Sequence, residues 1–363
     1  MSSSLALALV PLFLTPAAAP PVITPTVLTQ TFEEPADADD PAIWVNPHDT
    51  ERSVVLGTLK EGGLAAFDLA GRTIGVSPAP QAPAPGAKPG RFNNVDVLGN
   101  LAFVSDRGRD RVRVFQVDEH GAKDVTDPAT RPVFSKTEAE VERQHTVYGL
   151  AAGRAGGRDV VVTSRRNETS IALLHVVKGA RYDTRKVSTV ELPDTFTLPD
   201  GKSWTVCGEP GEGPQVEGMV IDERTGTLYA AQEDVGIWRI PLRANGFGKP
   251  QLVEKVRSFG APQRYNPDTE ECEADGPNPG FGGRWIEADA EGLAIAGDVL
   301  IVSSQGDSRF VAYRTADMKP LRDFRVKDVE HSDGADVVLG KLNLFVVHDG
   351  ERENGTGFAF IRF

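Results

Sequence analysis

Short runs of β-branched and apolar residues, bounded by Gly, Pro, Asp and Asn, recur along the whole chain, and helical periodicity is hard to find. That is the signature of an all-β protein. Two interleaved patterns repeat within it. In the first, a polar residue opens a strand: Asp40 before PAIWV, Asn94 before VDVLG, Tyr148 before GLAAG, Glu217 before GMVID, Glu291 before GLAIA and Asp333 before GADVV. In the second, an apolar strand breaks into a charged turn and resumes as another apolar strand: VVLGTLKEGGLAAFDL, LAFVSDRGRDRVRVFQV, VVVTSRRNETSIALLHV, LYAAQEDVGIWRI, VLIVSSQGDSRFVAYR and LFVVHDGERENGTGFAFIRF. Both patterns occur six times, in register with each other.

One strand plus one hairpin, with connecting sequence to supply a fourth strand, is what a propeller blade requires, because its apolar faces can be covered only by its neighbours. The chain is therefore expected to be a six-bladed β-propeller, a single domain over residues 20–363. The last repeat ends at Phe363, so a segment near Val27 to Phe32 is expected to complete the final blade. Pro/Gly-rich stretches at 78–90, 193–215 and 257–288 are expected as surface loops and not as domain boundaries.

If the first strand of each blade lines the channel, its opening residue points into one mouth. This gathers Asp40, Asn94, Tyr148, Glu217, Glu291 and Asp333. The hairpin turns add a wider ring: Lys60, Arg107, Arg165 or Arg166, Glu233 with Asp234, Gln305 with Asp307, and Asp349 with Glu351. That ring is basic in blades 1 to 3 and mostly acidic in blades 4 to 6. Converging carboxylates resist ionising unless a cation sits among them, and hard oxygen ligands without Cys or His favour calcium. Cations beside Lys60, Arg107 and Arg165 make a site for an anion of several charges, with phosphate the obvious candidate. No Ser-His-Asp set, nucleophile elbow or Gly-rich phosphate loop is visible, which leaves metal-activated water as the best nucleophile.

Charge and targeting signals add to this picture. The net charge of −13 argues against nucleic acid and anionic membrane as partners, and an anionic substrate would need a cation between it and the protein. Residues 1–19 hold an apolar run, Leu5 to Leu14, and then Ala17-Ala18-Ala19, the pattern of a signal peptide without its usual basic start. Export, to the periplasm or beyond, is the expectation. In an exported chain Cys207 and Cys272 form either one disulfide or two free thiols. The scattered His residues make no HExxH, and no Cys/His spacing suggests zinc.

The stretches DDPAIWVNP, LKEGGLAAFDLAG, GRFNNVDV, SDRG, VYGL, EGMVIDERTGTLYAAQEDVGIWRI, DAEGLAI, SSQGDSRFVAY, DGADV and FVVHDGE together resemble the β-propeller phytases, over Asp39 to Glu351. The resemblance implies a secreted, calcium-dependent phosphomonoesterase of the 3-phytase type. It would hold several calcium ions, structural and catalytic, and release phosphate from phytate or calcium-phytate by attack of a calcium-bridged water. Nothing requires more than a monomer. By motif match, the catalytic-calcium ligands would be Asp39, Glu217, Glu233, Asp289, Glu291 and Asp333, with Gln305 a further candidate from the hairpin ring. Phosphate contacts would be Lys60, Arg91 and Arg107, joined by Arg165 of the basic ring. Lys60, Arg107, Tyr148 and Glu217 are the catalytic candidates. Asp40, with the backbone carbonyls of Pro41 and Val95, resembles a structural calcium clip. The chain departs from the family at Arg165-Arg166, where a Lys-Glu pair is common, and in longer loops around Cys207 and Cys272. Two other readings fit a propeller: a calcium-dependent lactonase or esterase, which has no use for the basic ring, and a non-catalytic binding propeller, which calls for an exposed aromatic patch.

Overall fold

The structure is a computed structural model that describes residues 20–269, 271–340 and 342–363; the segment read from the sequence as a signal peptide, 1–19, lies outside the described residues. Six sheets, each running antiparallel and in sequence order from the inside outward through its first three strands, form the blades of a propeller. Their innermost strands are Pro41–Trp44, Phe92–Leu98, Val147–Ala155, Val216–Asp222, Ala290–Ala296 and Ala335–Val338. Each packs against the next, and the sixth returns to the first, so the ring closes. The N-terminal segment completes it: Val27–Leu28 pairs antiparallel with Gly355–Arg362 as the fourth strand of blade 6, as expected from the sequence. Val22–Ile23 adds a parallel edge strand to blade 5.

The hydrophobic pattern explains the layering. Second strands such as Val54–Thr58 are buried along their whole length, because both sheet faces meet a neighbouring blade. The third strand of blade 2, Arg111–Asp118, alternates instead: Val112, Val114 and Val117 are buried, whereas Gln116 and Asp118 are exposed. Apolar clusters fill the gaps between blades. Phe67 of blade 1 meets Phe358 of blade 6 at 5.7 Å between ring centroids, and Phe310 of blade 5 meets Phe345 of blade 6 at 5.5 Å. Each such fully buried side chain contributes about 1.5 to 3 kcal/mol, so the ring is held by its seams.

Strand direction decides where the insertions lie. Every first strand runs away from the mouth, so a four-stranded up-and-down blade returns its last strand to the mouth side. The long connections at 78–91, 125–146, 192–215 and 256–289 therefore all stand on the mouth face. The last two carry small hairpins of their own, Thr195–Thr197 with Ser203–Thr205 and Gln263–Asn266 with Glu271–Ala274. Of the two alternatives for the cysteines, the structure has the disulfide: Cys207 and Cys272 are bonded, with Cα atoms 6.0 Å apart, and tie these two insertions together across 65 residues. Closing a loop of that length stabilises the fold by about 4 kcal/mol in the chain-entropy account.

Candidate metal centre

The site begins with an irregularity shared by four blades. In blades 2 to 5 the innermost strand slips register just after its first residue, between Phe92 and Val95, Val147 and Leu150, Val216 and Met219, and Ala290 and Leu293. Such bulges free two residues from the ladder and turn one side chain toward the axis. Second-strand hydroxyls take up freed backbone groups: Ser105 accepts from the Asn94 N–H at 2.9 Å and Ser164 from the Gly149 N–H at 2.9 Å.

Ladder register corrects the sequence alignment by one residue in two blades. The pairs Pro41 with Gly57, Val95 with Val104, Leu150 with Thr163, Met219 with Ala230, Leu293 with Val302 and Ala335 with Val347 are equivalent. Two positions before each first member stand Asp39, Asn93, Tyr148, Glu217, Glu291 and Asp333. These form the ring at the mouth, and Asp40 and Asn94 sit one layer below, level with Gly149, Gly218, Gly292 and Gly334. The glycines show why that layer differs: a Cβ on Gly149 would lie 2.0 Å from the Glu217 carbonyl oxygen, and one on Gly218 2.2 Å from that of Glu291. Asp40 fills part of the space they leave, its carboxylate accepting from the Val95 N–H at 2.9 Å. With Pro41, Val95, Asp96 and Asp336 it lines a channel cavity of about 40 Å³, room for a single small ion or a water below the mouth.

Three buried carboxylates form the heart of the mouth. Glu217, Glu233 and Glu291 each bring one oxygen within 4.8 Å of the others. Asn93 donates to one oxygen of Glu217 at 2.6 Å and Tyr148 to the other at 2.5 Å. Gln215 donates to Glu233 at 3.0 Å, while Glu233 Oε1 and Glu291 Oε2 are buried without any partner. Around them stand Asp333, which accepts from Gln305 at 2.5 Å, and Asp289, bonded to Asp234. Burial first, and then Asp39 and Asp333, push Glu217 up to about 8. Burial and Asp39 do the same for Asp333, also to about 8. Glu233 and Glu291 are driven well above the carboxylate range by burial and their acidic neighbours. Orphaned buried oxygens in an all-oxygen donor set fit a hard divalent cation, which would relieve both the missing bonds and the mutual repulsion. The ligand set suits calcium.

The facing wall is cationic. Lys60 Nζ is bonded to Asp37 and lies 3.4 Å from Asp39. Arg107 donates to Asn93 at 2.8 Å, and its guanidinium stands 5.8 Å from the centre of the Tyr148 ring. Burial, followed by the like charge of Arg91, lowers its pKa, and Arg166 adds to the effect. Arg91 is paired with Glu61. Arg165 does not belong to this wall. It bonds Glu168 at 2.7 Å and the His145 carbonyl at 2.9 Å, and stacks over Phe134. Arg166 holds the position three residues past Thr163 that Lys60 and Arg107 hold past Gly57 and Val104. Arg165 ends its strand, and Arg166 opens the turn beyond it, close enough to Arg107 for its charge to help lower that group's pKa.

Asn93, Asp37 and Gln215 are site residues that the sequence reading missed. Asn93 was accessible in principle, since aligning the Gly after Tyr148, Glu217 and Glu291 with Asn94 selects it.

A phytase family model matches residues 4–152 and 212–344. The chain belongs to the phytase family. A 3-phytase of Bacillus subtilis (strain 168) is 26% identical over 355 residues, covering 88% of this chain and 76% of the relative. Among solved structures, a calcium-binding protein, regucalcin, from Agrobacterium tumefaciens superposes with a TM-score of 0.52 at 11% identity, covering 94% of this chain and 95% of its own. A gluconolactonase from Xanthomonas campestris gives 0.48 at 12% identity, with 96% and 99% covered. At such identities the first likeness is one of fold alone. The internal stretch that the family model leaves unmatched, between 152 and 212, contains both Arg165-Arg166 and Cys207.

Proposed function

We propose that this phytase is a calcium-dependent phosphomonoesterase of the 3-phytase type, whose substrate is phytate or its calcium complex. The observation that carries the reading is the pairing of buried, partnerless carboxylate oxygens with a cationic wall that has too few counter-ions. Glu217, Glu233, Glu291, Asp289, Asp333 and Asp39 would hold the cations of the mouth, with Gln305 beside them; Asp40 and the carbonyls of Pro41 and Val95 would hold another in the channel. When bound, calcium supplies positive charge against the carboxylates and Lewis acidity toward a phosphate ester. The chain's own groups do the rest. Lys60, Arg107 and Arg91 orient the phosphate and offset its charge. Tyr148 and Asn93 fix the Glu217 carboxylate in place, and Arg166 extends the wall toward a neighbouring phosphate of the same substrate. We place its work outside the cytoplasm, where a disulfide such as Cys207–Cys272 persists.

The test is phosphate release from phytate by the purified protein, first with calcium and then with a chelator. Release that requires calcium supports the proposal. Folded protein that releases no phosphate in either condition would contradict it and point toward lactone hydrolysis.

A further inference from the structure

We infer that Asp37 is a positioning residue for Lys60, and that it ties the reactive mouth to the seam where the two ends of the chain close the ring. This rests on the phosphatase reading above. Lys60 sits at a hairpin tip with a left-handed backbone (φ 46°), and its carbonyl accepts from the Phe92 N–H of blade 2 at 3.1 Å, so its main chain is fixed while its long side chain needs a guide. The guide is Asp37. One carboxylate oxygen bonds Lys60 Nζ, and the other accepts from Thr356 Oγ1 at 2.9 Å. Thr356 Oγ1 in turn accepts from the Ala38 N–H at 2.7 Å, and its backbone exchanges two hydrogen bonds with Phe32, at 2.8 and 2.9 Å. Thr356 belongs to the C-terminal strand Gly355–Arg362, and Phe32, Asp37 and Ala38 belong to the N-terminal segment. The relay therefore runs from the closing seam of blade 6 to the cationic wall.

Both partners are largely enclosed, with side-chain exposures of 17% for Lys60 and 15% for Asp37, so the pair is screened less than a surface bridge. Its chemical consequence follows from the second acceptor. Lys60 also lies 3.4 Å from Asp39, a ring carboxylate, and without Asp37 the ammonium would collapse onto Asp39 and compete with any cation there. Asp37 thus holds Lys60 off Asp39 and fixes the ammonium at the rim of the mouth.

The test combines a double-mutant cycle with a direct view of the ammonium. Asp37→Asn should lower kcat/KM for phytate by about 10-fold, Thr356→Val by about 3-fold, and Asp37→Glu should recover part of the loss. The Asp37→Asn/Lys60→Ala protein should be no worse than Lys60→Ala, because a residue acting through Lys60 has nothing left to position. In the ¹⁵N spectrum, a slowly exchanging Lys60 ammonium signal should be present in the wild type and absent in Asp37→Asn. Losses that multiply in the double variant, or an ammonium signal that survives Asp37→Asn, overturn the inference. A signal that depends on Asp37 in a wild-type protein releasing no phosphate would uphold the coupling and overturn the phosphatase reading instead.

Discussion

The two halves of the mouth occupy equivalent strand positions and carry opposite chemistry. On the side of blades 4 to 6, Glu217, Glu233 and Glu291 crowd together with raised pKa values, and Glu233 and Glu291 each keep a buried oxygen without a partner. On the side of blades 1 to 3, the same hairpin register holds Lys60, Arg107 and Arg166, and among the described residues neither Arg107 nor Arg166 has a carboxylate within ion-pair distance. Each half is electrostatically incomplete. The acidic half calls for a cation and the basic half for an anion, and a metal bound with a phosphate ester supplies both at once. A repeat fold makes this possible, because six copies of one strand start give six independent choices of residue around one axis.

The largest effect expected from breaking the acidic half is at its centre. Glu217→Gln should reduce phosphate release by more than about 1,000-fold while the circular dichroism of the folded protein is unchanged; a variant with substantial turnover would remove the cation argument. Next comes the pH response of the calcium-free protein. Glu217 and Asp333, pushed up to about 8, hold protons in the folded state that the unfolded chain gives up near pH 4. The native state therefore binds more protons, and stability should fall as pH rises from about 4.5 through about 8. Thermal melts across that range should show the decline, and added calcium should reverse it at the alkaline end. A melting temperature that rises with pH without calcium would contradict the assignment.

The basic half should give smaller effects, and selective ones. Lys60→Ala should raise KM for phytate by about 10-fold and KM for a simple monophosphate ester by much less, whereas equal changes would argue against a site for several phosphates. Arg166→Ala should raise KM for phytate only about 3-fold if, as we propose, this guanidinium serves a neighbouring phosphate and not the reacting one; Arg165→Ala should leave it unchanged. A reversed order would return Arg165 to the wall.

These contrasts also mark what the sequence made legible. The six blades and the closing strand were readable because alternation and turn residues repeat along the chain, and so were the halves of opposite charge. What escaped the repeat alignment was register within polar doublets. Asp39-Asp40, Asn93-Asn94 and Arg165-Arg166 each offer two similar side chains where a strand can use only one on the mouth side, and a slip of one residue reverses the face. Backbone packing decides among them, through contacts such as Gly149 against the Glu217 carbonyl. Asp37 escaped for another reason. It lies before the first strand, in a segment that no other repeat copies, and its partner Thr356 is more than 300 residues away in the chain.

The measurement that bears most directly on the complementarity of the two halves is calorimetric binding of a non-hydrolysable inositol hexasulfate, with calcium present and with calcium chelated. Tight binding with calcium and at least about 100-fold weaker binding without it is the predicted result, since the cations must neutralise the acidic half before a polyanion can approach the basic one. Equal affinity in both conditions would show that the basic wall acts alone, and the account of the mouth as two halves joined by metal would be wrong.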